Sequence, residues 1–315
     1  MTNPIGWCDE TWNPMTGCTP VSEACEHCYA RAIAWRFNSK TETPVVYRDG
    51  VSVAWRRIHN PDYFKPTFHP DRLDKPLHWR KPRRIFVCSM SDLFHEAFTD
   101  EQIGSVFRTI CEAGKTTIPA WGHTWLILTK RTKRVPEWLD WAQKHEPGWF
   151  SSHTGKLDLG DVWFGCTIET QERAPRVLWL NDLRIPHVFV SLEPLLGPVD
   201  LTRIEYQLGT ARTRSDALRG RVLCQLESGA RWMDPDDVYP RIEHVIVGGE
   251  NGPGARPMQP EWALDVYRQC EAVGVPFWWK QAGKAWGLGD AVPTNKLLVE
   301  LQQMMATREV PAVTP

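Results

Sequence analysis

The chain has 315 residues, and its 37 basic against 38 acidic side chains leave a formal net charge of −1, so its overall charge does not argue for a polyanionic partner. No apolar run approaches the roughly 18 residues of a membrane span, and no charged-then-apolar leader opens the chain, so a soluble cytoplasmic protein without membrane partners is expected. Nine cysteines in such a chain read as reduced thiols, available to metal.

In chain order, Thr11-Trp12-Asn13-Pro14 predicts a short strand and turn. Cys18, Cys25 and Cys28 follow, with six residues in the first gap and two in the second, so one loop can aim three sulfurs at one inorganic centre. Three thiols leave a coordination position for a substrate or cofactor, whereas a structural zinc site is closed by a fourth ligand, for which Cys8 and His27 are candidates. Tyr29 to Phe37 has helical composition. Strand, thiol loop and helix in that order put the thiols at the carboxyl end of the first strand, the functional edge of α/β enzymes.

Residues 38–82 show no clear period and read as an insertion. In and just after it, Arg48, Arg56, Arg57, Arg72, Arg80, Lys81, Arg83 and Arg84 alternate with Trp55, Tyr63, Phe64, Phe68 and Trp79. That mixture suits either a phosphate backbone with stacked bases or a solvated cover. Seventeen tryptophans, Trp121 among them, supply core or stacking surface.

A pattern then repeats. Ile85–Cys88 runs into Ser89-Met90-Ser91-Asp92, Trp125–Leu128 into Thr129-Lys130-Arg131, and Val162–Gly165 into Cys166-Thr167-Ile168-Glu169. His187–Val190 runs into Ser191-Leu192-Glu193-Pro194, His244–Val247 into Gly248-Gly249-Glu250, and Pro276–Trp279 into Lys280-Gln281. Helices are expected near 101–113, 136–143 and 261–273, and after Glu169 through Trp179. Apolar runs alternating with helices imply parallel strands whose polar ends converge. The expected fold is α/β, a parallel partial or complete (βα) barrel occupying residues 1–290 as one domain, with insertions near 38–82 and 202–241. Residues 291–315 are expected to form a C-terminal helix and tail.

The thiol loop, with His27 before its last cysteine and Tyr29-Ala30 after it, resembles an expanded form of the three-cysteine loop of radical S-adenosylmethionine enzymes. Thr11-Trp12-Asn13-Pro14, Gly17-Cys18, Cys25, Cys28-Tyr29-Ala30, Ser89–Asp92, Ser191–Pro194, Gly248–Gly252 and Lys280-Gln281 resemble the phage gene-product 37/gene-product 68 family. The first resemblance implies a radical SAM-like barrel in which Cys18, Cys25 and Cys28 bind a [4Fe-4S] cluster. It further implies S-adenosyl-L-methionine on the open iron, a 5′-deoxyadenosyl radical as product of its cleavage, and an electron donor such as flavodoxin or ferredoxin. Asp92, with Ser89 and Ser91, is then the candidate for the methionyl amine and Lys130 or Arg131 for its carboxylate. Thr167, Glu169 or Glu193 are candidates for ribose hydroxyls, and Glu250 for cofactor or substrate. The phage resemblance favours a nucleotide or DNA base as substrate. Two other classes stay open: a noncatalytic zinc-stabilised nucleic-acid-binding module, and a barrel hydrolase using the strand-end acids. Cys88 and Cys166, at strand ends, are candidates to complete a metal site or act as substrate thiols.

Overall fold

A computed structural model describes residues 5–37, 39–46, 53–59, 61–116, 122–208, 211–226, 229–233, 241–283 and 295–309. Arg48, Trp121 and the extreme C-terminal tail, 310–315, lie outside them.

Seven parallel strands form the central sheet: β1 (Glu10–Trp12), β2 (Arg84–Val87), β3 (Thr124–Thr129), β4 (Asp161–Thr167), β5 (His187–Leu192), β6 (His244–Gly248) and β7 (Phe277–Gln281). Each strand pairs with the next one in the chain, from β1 at one edge to β7 at the other. Among the described residues, α1 (Tyr29–Phe37), α2 (Asp100–Thr116), α3 (Arg134–His145) and α4 (Pro260–Glu271) lie between central strands, and α5 (Asn295–Ala306) follows the last and packs on α4 and β7. Crossovers between parallel strands are right-handed as a rule, and because these always advance in one direction α2, α3 and α4 fall on one face and the sheet curls into a half barrel rather than a doubly wound layer.

Alternation along each strand divides the apolar residues between two cores. Ile85, Val87, Trp125, Ile127, Phe164, Val188, Val190, Val245 and Phe277 face outward onto Ile103, Phe107, Ile110, Trp138 and Leu264 of the helices. Phe86, Leu126, Trp163, Phe189, Ile246 and Trp278, one residue from each of β2 to β7, form the inner row, closed by Trp7 and Cys8. Each such side chain contributes about 1.5–3 kcal/mol by leaving water. Gly165 is required in this row: a Cβ there would lie 2.3 Å from the Phe189 ring that covers β4.

The segment after β4 differs from expectation. Gln171–Leu180 is a run of 3-10 turns rather than an α-helix, because Pro175 inside it has no N–H to donate. Among the described residues, three antiparallel additions accompany the barrel: a hairpin of Ser39–Val46 with Val53–His59, a short pair of Met15–Thr16 with Thr67–Phe68, and a four-stranded sheet from Ile204 to Met233. No helix among the described residues is long and apolar enough to cross a membrane.

Candidate metal and cofactor site

The cysteine loop leaves the carboxyl end of β1 and is fixed first by backbone. Asn13 Oδ1 accepts the Met90 N–H at 2.9 Å and the Ser89 hydroxyl at 3.2 Å. Gly17 N–H donates to Met90 O, and the Ser91 hydroxyl donates to Gly17 O at 2.6 Å. Gly17 has φ +79°, and a Cβ on it would meet Lys65 O at 2.1 Å, so only glycine brings the chain this close to residues 64–65. A 3-10 turn at Glu23–Cys25 leads to α1, whose Tyr29 hydroxyl donates to Ser89 O at 2.7 Å. Ser89 and Ser91 therefore hold the loop itself.

The ends of β2 and β3 add a buried charged knot. Asp92 accepts from Phe94 N–H, the Thr129 hydroxyl, Lys130 N–H and Arg131 Nη1. Arg131 is 7% exposed and uses its whole fork: Nε donates to Glu96, Nη1 to Asp92 and to Cys18 Sγ at 3.4 Å, Nη2 to the carbonyl and hydroxyl of Thr19. Ala97 N–H donates to His95 Nδ1, so the proton sits on Nε2 and is donated to Thr19 Oγ1 at 2.9 Å. Burial holds the His95 pKa below its ordinary value, in keeping with that neutral ring.

From β4, fully buried Glu169 accepts the Ser22 hydroxyl at 2.8 Å and Arg176 Nη1 at 2.6 Å. Thr170 and Arg173 bind Glu23, and the Arg173 guanidinium holds the Glu23 carboxyl below its usual range. Beyond β6, Glu250 grips Arg256 through both carboxylate oxygens, and Arg256 reaches the Glu23 carbonyl at 3.0 Å and Glu26 at 3.2 Å. Burial raises the Glu250 pKa, but the Arg256 hydrogen bonds outweigh it and the net shift is downward. Four strand ends thus converge on one loop.

The remaining predicted residues at this edge make other contacts. Lys130 Nζ donates to Thr167 Oγ1 at 3.3 Å and lies 3.9 Å from Glu169. Glu193 pairs with Lys280 at 2.6 Å and accepts from Gln281, across Gly248 on the strand between them. These groups border the inner face above the aromatic row, where they can orient a polar ligand.

Cys18, Cys25 and Cys28 are free and only partly buried. Burial, then Asp92, pushes the Cys18 thiol up to about 11 against the opposing effect of Arg131. Among the described residues no three His, Cys, Asp or Glu side chains are drawn together on a single metal ion. The donor chemistry nonetheless suits an iron–sulfur centre: three unpaired thiols on one anchored loop, with an N–H donor already directed at one sulfur. Cys88 and Cys166 are in the helix-side core and Cys8 in the inner row, and burial pushes Cys166 and Cys8 up to about 12. None of these three is presented at the loop as an accessible thiol. The Cys224 side chain is outside the described residues.

The described part of the basic segment is divided between the two ends of the sheet, and the side chains of Arg56 and Arg57 lie outside the described residues. Arg83 and Arg84 pair with Glu10 and Asp9 at the amino end of the sheet, and Arg72 donates to Asn13 O. An open groove of about 980 Å³ borders α4 and Gln171, away from the thiols, and its Gln171 and Gln269 are bound to backbone.

Sequence reasoning missed Ser22, His95, Glu96, Arg173, Arg176 and Arg256 as parts of this site. Arg176 and Arg256 follow their carboxylates by seven and six residues, a spacing with no period to single them out. No curated protein and no solved structure matches the chain. Residues 2–308 match the family described as protein of unknown function DUF5131, and the chain belongs to that family.

Proposed function

We propose that the protein is a radical S-adenosylmethionine-type enzyme in which Cys18, Cys25 and Cys28 hold three irons of a [4Fe-4S] cluster and the fourth iron is left for S-adenosyl-L-methionine. The observation carrying this reading is the fastening of a three-thiol loop over the carboxyl edge of a half barrel by the ends of β2, β3, β4 and β6. One-electron cleavage of a sulfonium, giving a 5′-deoxyadenosyl radical, is the chemistry such a centre supplies when bound. The chain's own residues fix the loop, direct the Arg131 N–H at Cys18 Sγ, and keep water from beneath the site with the inner aromatic row. Lys130, Thr167, Glu193 and Lys280 orient the polar parts of cofactor or substrate. The proposed substrate class is a nucleotide or nucleic-acid base, supported by the likeness of the strand-end motifs to the phage-associated family, and the proposed donor is a flavodoxin or ferredoxin.

Anaerobic reconstitution tests this directly. The unaltered protein should turn brown with about four irons and four sulfides per chain, and with reductant should convert S-adenosylmethionine to 5′-deoxyadenosine. The triple variant Cys18→Ala, Cys25→Ala, Cys28→Ala should do neither. A colourless protein with one tightly held zinc would replace this reading with the nucleic-acid-binding module.

A further inference from the structure

Arg131 is built into the molecule more firmly than a loop fastener requires. Thr19 alone would be held by two hydrogen bonds from Nη2 and one from His95. Yet Arg131 is buried, is gripped on its Nε edge by both oxygens of Glu96, and is gripped at Nη1 by Asp92, which three further donors hold in place. The effect is to immobilise one N–H of Nη1 against Cys18 Sγ.

We infer that Arg131 is a positioning residue that sets the reduction potential of whatever centre Cys18 holds, with Glu96 as its counterweight. The inference rests on the iron–sulfur reading above. An N–H donated to a cysteine sulfur, and a cation beside it, stabilise the reduced, more negative form of a cluster more than the oxidised form and so raise its potential. Asp92 and Glu96 offset the guanidinium charge. Glu96 is the adjustable member, because its side chain is 67% exposed while that of Asp92 is 8% exposed.

Two substitutions therefore move the potential in opposite directions. Arg131→Met removes both donor and cation and should make the midpoint more negative. Glu96→Gln keeps the fork but removes one compensating anion, and should make it more positive. Midpoints are read by anaerobic redox titration of the reconstituted proteins with electron paramagnetic resonance of the reduced cluster. Merely loosening the loop would lower iron content in both variants without separating their midpoints by sign. Midpoints equal to that of the unaltered protein, or displaced the same way in both variants, overturn the inference. If Arg131→Met does not fold, Glu96→Gln decides alone, and no positive shift in it is fatal. Failure of the unaltered protein to take up iron and sulfide overturns instead the reading underneath, and this inference with it.

Discussion

Residue chemistry at this edge was only half legible in advance. Asp92, Arg131, Glu169 and Glu250 stood out because each follows an apolar strand run, yet all four make hydrogen bonds or ion pairs that fasten the cysteine loop, directly or through a partner. Position along the chain reveals which side chains share an edge but not which partner each one takes, since the choice depends on loop residues such as Ser22 and Arg256 that carry no pattern. A buried histidine at the opposite end of the sheet makes a test of its own. His244, 4% exposed with Nε2 on Glu309 O, has its pKa pushed down to about 4 by burial. Unfolding lets the imidazole bind a proton at its ordinary value near 6.5, so its contribution is intact above pH 6.5 and is lost as pH falls toward 4. That contribution is about 3 kcal/mol across the interval. Urea unfolding at pH 7 and pH 4.5 should show a smaller acid loss in His244→Gln than in the unaltered protein.

At the scale of elements, each strand after the first was expected within a few residues of where it stands, because a continuous apolar run bounded by polar residues has few other solutions in a sheet covered by helices. The 3-10 run at Gln171–Leu180 stands where a helix was expected, and Pro175 inside it is the residue that withholds an α-helical N–H. The short turn at Gly17 is where backbone geometry is least tolerant. Gly17→Ala must accommodate a Cβ 2.1 Å from a carbonyl oxygen in addition to a positive φ. Gly155, at φ +70° with nothing within 4 Å of a Cβ, isolates the conformational part. Gly155→Ala should cost about 1–2 kcal/mol. Gly17→Ala should cost more and also lower the iron retained after reconstitution; equal losses of stability in the two variants would show that the contact with Lys65 is not limiting.

Across the whole molecule, the half barrel with its strands in chain order was the expectation most firmly carried by pattern, since seven runs with polar carboxyl ends leave little freedom of topology. Invisible beforehand was the bridge over its open side, where Arg256 beyond β6 reaches Glu23 and Glu26 beyond β1. Glu250 keeps Arg256 in place for this reach. Glu250→Ala should therefore speed amide hydrogen exchange across residues 22–28 several-fold while the central strands keep their protection. Unchanged exchange in that segment would mean that Ser22, Glu23 and Tyr29 secure the loop without help from β6.

That bridge also imposes an order on biosynthesis. The thiols leave the ribosome early, but the arginine that closes their enclosure is 230 positions later than Glu26. A nascent chain therefore displays three sulfurs without that arginine across them while the intervening 230 positions are added, and their enclosure is finished only once Arg256 has emerged.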